Sequence, residues 1–383
     1  MKRGCENKRL VIKIEQIPTV LLILWLDPTR HEVHFKQKSV NQTVNELISF
    51  FSVRQNVVIT MHRDPDADAL GSSLGWASYL IRKGHAVTVI SPNDYAANLA
   101  WLPGIEQVLI YEKGSDQLLC KQKIDEASVI CCLDFSALSR LKELGKVVQE
   151  AKADKLMIDH HLEPEHFAKW MIWDTYAAAT AQLIYTLIKE MEPGVPLTEL
   201  IDQPIAECLY AGIMTDTGSF RHANVTPEVH LAVADLMRTG FDASRVHRLI
   251  YDNAPLSRLQ FLGYVLSQKL TVIPEFRTAY MVLTEAELIR FNSVPGETEG
   301  IVNYGLQVEN VVMSALFIER RGEVKISFRS VGSFSVRDLA SAHFSGGGHK
   351  NASGGRSDQT IKETVDQFLS VLPSYQASLL SVD

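Results

Sequence analysis

The sequence predicts an α/β protein with a doubly wound parallel sheet in its N-terminal part, a helical connector and a smaller C-terminal α/β domain. Three observations carry this. Apolar runs at Val57–Met61, His85–Ser91, Val129–Leu133 and Lys155–Ile158 alternate with stretches of helical spacing at Ser73–Lys83, Ala137–Ala151 and Ala177–Met191. Three of those runs end in acids or imidazoles, at the strand ends where open α/β sheets hold ligands. At 383 residues and 46% apolar content, the chain is long and apolar enough for two cores.

The first strand runs into His62-Arg63-Asp64-Pro65-Asp66-Ala67-Asp68-Ala69-Leu70-Gly71-Ser72. Asp66 and Asp68 are two apart, so in an extended loop both carboxylates can enter one cleft yet reach different ions. Pro65 stiffens the turn, and Gly71 and Ser72 let backbone approach a ligand closely. The bland alternative is a capped turn before a helix at Ser73. Mixed carboxylate and imidazole donors suit hard or borderline divalent metals. Val129–Leu133 ends in Asp134, Lys155–Ile158 ends in Asp159-His160-His161, and a helix over Ile205–Met214 leads to Asp216. Buried elements have no reason to end repeatedly in Asp and His unless those ends converge. Further on, Thr226-Pro227-Glu228 opens a helix, and residues 227–268 read as mostly helical. Leu270–Ile273, Ala279–Leu283, Val311–Glu319 and Val324–Arg329 read as strands, with helices from Glu285 and Val336. In Gly346-Gly347-Gly348-His349, three glycines give a backbone whose N–H groups can wrap a phosphate, and His349 adds a donor.

A net charge of −7 argues against a broad duplex-DNA footprint. The charge is uneven, however. Arg320 to Arg356 holds seven Lys or Arg against two acids, which suits a small polyanion. Five cysteines with no Cys-x-x-Cys pair read as a reducing, cytoplasmic setting. The apolar stretch Pro18–Leu26 follows basic residues but is too short to span a bilayer, so no membrane role is expected.

The His62-x-x-Pro65-Asp66-x-Asp68 loop, Asp134, Asp159-His160-His161 and Asp216, with the Gly346–His349 loop behind them, resemble the motifs of the DHH phosphoesterases and their DHH-associated substrate domain. The resemblance covers roughly residues 45 to 370 and leans toward the bifunctional oligoribonucleases that also dephosphorylate 3′-phosphoadenosine 5′-phosphate (pAp). It implies a catalytic domain over 43–225, a connector over 226–268 and a substrate-binding domain over 269–375, behind an N-terminal extension (1–42) that can be disordered. It implies two divalent ions, with Mn²⁺ the family's usual choice and Mg²⁺ or Co²⁺ not separable by sequence. His62 and Asp66 would hold one ion, Asp68, His160 and Asp216 the other, and Asp134 would bridge them. Asp159 would orient His160, and His161 would face the substrate, steadying its phosphate or protonating the leaving oxygen. Arg329, in Ser327-Phe328-Arg329-Ser330, would clamp a phosphate together with Gly346, Gly347, Gly348 and His349, and Arg320 or Arg321 could add to the clamp. The expected reaction is hydrolysis of short oligoribonucleotides and of the 3′-phosphate of pAp, by a chain that allows a homodimer. Cyclic or linear dinucleotide hydrolysis, exopolyphosphatase activity and a silent nucleotide-binding regulator are the alternatives.

Overall fold

Alternation along the strands decides the architecture. In the computed structural model, which describes residues 40–293, 296–320 and 322–382, the elements α1 (Val40–Phe51), β1 (Asn56–Met61), α2 (Ala67–Arg82), β2 (Ala86–Ser91), β3 (Leu109–Ile110), α3 (Gly114–Asp125), β4 (Val129–Leu133), α4 (Glu143–Glu150), β5 (Asp154–Asp159), β6 (Trp170–Trp173), α5 (Thr180–Met191), α6 (Leu197–Leu200) and α7 (Gln203–Asp216) build the first domain. Its sheet has the order β3-β2-β1-β4-β5-β6, and every pair is parallel. Val57, Ile59, Cys131, Leu133, Leu156 and Ile158 face the core shared with α1, α2, α5 and α7. Val58, Ile130 and Cys132 face the other way, onto α3 and α4. Both faces are therefore covered, as a parallel sheet requires. The strand order reverses between β1 and β4, and the crevice beyond their carboxyl ends is where such sheets bind ligands.

Helices α8 (Pro227–Met237), α9 (Ala243–Tyr251) and α10 (Leu256–Gln268) come next; Val229 and Leu236 of α8 and Val246 and Ile250 of α9 join the core of the first sheet, while Phe261 and Val265 of α10 pack on the second. The second sheet follows, from β7 (Thr271–Ile273), β8 (Thr278–Leu283), α11 (Glu285–Arg290), β9 (Met313–Arg320), β10 (Glu323–Ser330), α12 (Val336–His343), β11 (Gly347–His349), β12 (Ala352–Ser357) and α13 (Ile361–Leu380). Its order is β11-β12-β10-β9-β8-β7, antiparallel except for β8 against β9. Ile326, Phe328 and Phe317 pack on α12 and α13. On the opposite face Leu316 and Ile318 of β9 and Met281 and Leu283 of β8 pack on Phe261 and Val265 of α10.

Several expectations need correction. Helix α2 starts at Ala67, six residues before Ser73, so Asp66 is its N-cap and Asp68 lies in its first turn. Gly71 serves helix packing rather than a ligand, since a Cβ there would stand 2.3 Å from the Cys208 carbonyl oxygen of α7. The helix expected over Ala137–Ala151 is divided: a 3-10 turn over Leu138–Leu141 precedes α4, with Lys142 between them at φ 55°. Helix α1 begins inside the stretch read as an extension, and the Pro18–Leu26 run lies outside the described residues. Among the described residues no helix is long and apolar enough to cross a membrane.

Candidate metal centre and cleft

Four chain segments deliver donors to one place. His62 follows β1 and donates from Nδ1 to the Arg63 carbonyl at 2.9 Å, which leaves Nε2 facing Asp66 Oδ2 at 3.8 Å and Asp134 Oδ2 at 3.4 Å. Asp66 divides its work. Its Oδ1 accepts the Asp68 and Ala69 backbone N–H groups at 3.0 Å each, the capping contact of α2, and Oδ2 remains for His62. Asp134 follows β4 at φ 64°, a left-handed backbone that Asp tolerates better than most residues. Its other oxygen, Oδ1, lies 3.6 Å from His160 Nε2. His160 Nδ1 donates to the Ala177 carbonyl at 3.1 Å, so Nε2 is turned toward Asp216 Oδ2 at 3.2 Å and Asp68 Oδ2 at 4.0 Å.

Two donor groups result: His62, Asp66 and Asp134 in one, and Asp68, His160 and Asp216 in the other, with ligand atoms in each within 4.8 Å of one another. Asp134 turns one oxygen to each. Asp216 is the last residue of α7, not a loop residue beyond it.

The buried carboxylates are held by groups that the sequence reading did not pick out. The first-turn N–H groups of α5, at Thr180 and Ala181, donate to Asp68 Oδ2 and Oδ1 at 2.7 and 2.9 Å, and the Thr180 hydroxyl donates to Asp134 Oδ1 at 2.8 Å. Asp68 thus satisfies helix-end donors that would otherwise be orphaned. Gly212 of α7 is small for the same reason, since a Cβ there would stand 2.6 Å from Asp68 Oδ1. Nothing in Ala177-Ala178-Ala179-Thr180 marks the threonine as more than a helix start.

Asp159 does not orient His160. Its Oδ1 accepts from His161 Nδ1 at 2.8 Å, while His160 is held by the Ala177 carbonyl. The Trp173 indole N–H donates to the His161 carbonyl at 2.7 Å, fixing the backbone beside it. From the second sheet, His349 lays its ring 4.8 Å from that of His161 and 5.4 Å from that of His160. From the same domain Arg337 of α12 pairs with Glu163, just beyond the Asp159-His160-His161 segment. Arg329 donates from Nη1 to the Phe328 carbonyl at 3.0 Å and feels the charges of Glu299 and Asp216.

The glycine run divides in function. The Gly346 N–H is spent on the Ala340 carbonyl at 3.2 Å, and a Cβ there would strike Gly354. Gly347 and Gly348 remain exposed. Arg320 cannot join Arg329 in one clamp. Arg320 pairs with Glu323 and Arg329 with Ser314, opposite ends of the β9–β10 ladder, about 20 Å apart at ~3.3 Å per residue. Arg321 lies outside the described residues.

The electrostatics favour cations. Burial and the neighbouring Asp134 and Asp216 charges push Asp66 up to about 6 against the pull of His62. Burial, Asp134 and Asp216 lift Asp68 well above the carboxylate range. Burial would lower His62, but Asp134 and Asp66 outweigh it and raise it to about 9. Burial likewise opposes a rise at His160, but Asp216, Asp134 and Asp68 outweigh it and hold His160 well above the usual imidazole range. Asp134 goes down despite burial because His62, His161 and His160 surround it. The cluster as a whole holds protons tightly because it carries more negative charge than its surroundings balance. Two divalent cations would match its four carboxylates, and the buried His160 Nε2 has no hydrogen-bond partner. The donor set fits metal ions on both counts. Burial and the imidazoles of His161 and His160 push His349 down to about 4, so it enters the cleft neutral.

Comparison with known proteins agrees with this geometry. Residues 56–213 match the DHH family, N-terminal domain, and residues 278–377 match the DHHA1 domain. A bifunctional oligoribonuclease and PAP phosphatase NrnA of Thermus thermophilus is 33% identical over 305 residues, covering 79% of this chain and 84% of its own. A probable bifunctional oligoribonuclease and PAP phosphatase NrnA of Streptococcus mutans is 26% identical over 82% of this chain and 92% of its own. The crystal structure of an exopolyphosphatase-related protein from Bacteroides fragilis superposes with a TM-score of 0.84 at 37% identity, covering 90% of this chain and all of that one.

Proposed function

Since the chain belongs to the DHH family and carries a DHHA1 domain, we propose that it is a phosphoesterase dependent on divalent metal ions, Mn²⁺ first, which hydrolyses short oligoribonucleotides and removes the 3′-phosphate of pAp. The observation that carries the reading is the pair of donor groups on either side of Asp134, faced by His349 from the second domain. The NrnA relatives bear both activities in their names.

His62 and Asp66 would hold one ion and Asp68, His160 and Asp216 the other, with Asp134 between them. Bound there, divalent ions supply Lewis acidity toward a phosphoryl oxygen and lower the pKa of water. The protein's own part is positioning. Asp159 accepts the Nδ1 proton of His161, so Nε2 of that ring is left for the substrate. As an imidazolium it can donate to a phosphate oxygen or to the leaving oxygen. The neutral His349 beside it offers a hydrogen bond without repelling that charge. Arg329, with the exposed glycine backbone at Gly347 and Gly348, supports a grip on a second phosphate. The described cysteines, Cys120, Cys131, Cys132 and Cys208, are buried and free, which supports a reducing cytoplasmic setting.

The test is release of phosphate and nucleotides, with Mn²⁺, from pAp, RNA dinucleotide and pentanucleotide, cyclic and linear dinucleotides, and polyphosphate. Turnover of both pAp and the short RNAs is expected. Turnover confined to cyclic or linear dinucleotides, or to polyphosphate, would replace this reading, and silence on all of them with metal bound would make the chain a regulator.

A further inference from the structure

The outer face of the second sheet carries cations that the cleft does not use. On β10 the residues pointing away from the α12–α13 core are Glu323 at the strand's start, then Lys325, Ser327 and Arg329. Their partners on β12 are Arg356, Gly354 and Ala352, and on β11 Gly347 and His349 oppose Gly354 and Ala352. Cross-strand partners share a face. One strip therefore runs from Arg329 and His349, at the metal centre, across Ser327, Gly354 and Gly347 to Lys325 and Arg356. Helix α10 packs on this side over β8 and β9, and Gly347, Gly354, Lys325 and Arg356 are exposed.

Two features distinguish the strip from an ordinary solvated face. Lys325 and Arg356 stand directly opposite one another, a like-charge pairing that weakens a ladder. Neither has an acidic partner among the described residues. The floor between them and the cleft is bare although packing does not demand it. A Cβ on Gly347 would meet nothing within 4 Å, and one on Gly354 only the Ile326 carbonyl oxygen at 3.7 Å. From Arg329 to Lys325 the strand advances about 13 Å at ~3.3 Å per residue. A stacked strand at about 3.4 Å per nucleotide covers that in about four nucleotides, and an extended one in fewer.

We propose that Lys325 and Arg356 form a distal phosphate subsite for the backbone of a short oligonucleotide whose reacting end lies at the metal centre. The inference rests on the phosphoesterase reading of the cleft and adds a reason for preferring substrates a few nucleotides long. A nucleoside bisphosphate is too short to touch both ends of the strip.

The test uses the full chain with Lys325 and Arg356 both changed to Glu, and with both changed to Ala as a second pair should charge reversal impair folding. KM is measured for pAp, an RNA dinucleotide and an RNA pentanucleotide, with Mn²⁺, over a range of salt. The pentanucleotide KM should rise about tenfold, and its salt dependence should become shallower by about 1.4 in log–log slope, two contacts at about 0.7 each. KM for pAp and the dinucleotide should stay the same. An unchanged pentanucleotide KM alongside normal pAp turnover overturns the subsite alone. An equal rise for pAp also overturns it, because the two cations would then attract anions in general. A wild type inert toward all three substrates overturns the oligoribonuclease and pAp reading of the cleft, and the subsite with it.

Discussion

The two sheets contribute to one cleft by opposite means. The first does so with buried side chains. Asp68, Asp134, Asp159 and His160 are nearly inaccessible, and each is pinned by a partner inside the protein. The second does so with exposed backbone and solvent-facing cations, strung along a ladder of paired strands. A buried donor set tolerates almost no displacement, because each carboxylate moved from its partner is left charged and unpaired. An open ladder tolerates change and sets reach. The contrast separates where bonds break from how much of a ligand is held.

Asp134→Ala tests the first half hardest. It should remove turnover of every substrate, by about three orders of magnitude or more, since both donor groups lose their shared member. Wild-type rates with any substrate would break the two-group assignment. Arg329→Ala probes the border between the regions. KM for phosphate-terminated substrates should rise about tenfold with kcat little changed, and a fall in kcat with unchanged KM would move Arg329 into the chemistry. The smallest effect lies in the second domain's own framework. Burial opposes ionisation of Glu287, but Lys269, the Thr284 N–H and Tyr264 together hold it at about 2 against 4.5 when free. Its folded pKa is depressed, so its contribution is complete above pH 4.5 and is lost as pH falls toward 2. Glu287→Gln should cost on the order of 2 kcal/mol in urea melts at pH 7 and clearly less at pH 3. An equal loss at both would show that the ionised form is not what ties α10 to α11.

The donor set was legible because chemistry at strand ends is written in residue type: Asp134 and Asp159-His160-His161 interrupt apolar runs. What held those donors was not. The start of α2 was hidden because the acids that nominate a metal site also fill a first helical turn, and Asp66 does both jobs. Asp159 was assigned to the wrong imidazole, since two histidines in a row differ only in which way each side chain leaves the backbone. Thr180 acts on Asp68 and Asp134, over a hundred and over forty positions away, a distance no local pattern spans. The glycine run looked uniform, yet Gly346 packs while Gly347 lies open. The basic excess from Arg320 to Arg356 was visible as composition, but only strand register separates Arg329 from Lys325 and Arg356.

The placement of His349 also bears on how the chain is made. Synthesis proceeds from the N-terminus, and domains tend to fold as they emerge. The six donors of the two groups are all present once residue 216 has left the ribosome, while the imidazole that stacks on His161 arrives 133 residues later. A growing chain can therefore load cations early and still present a cleft with one wall, so its competence toward nucleotides waits for the second sheet to emerge and fold.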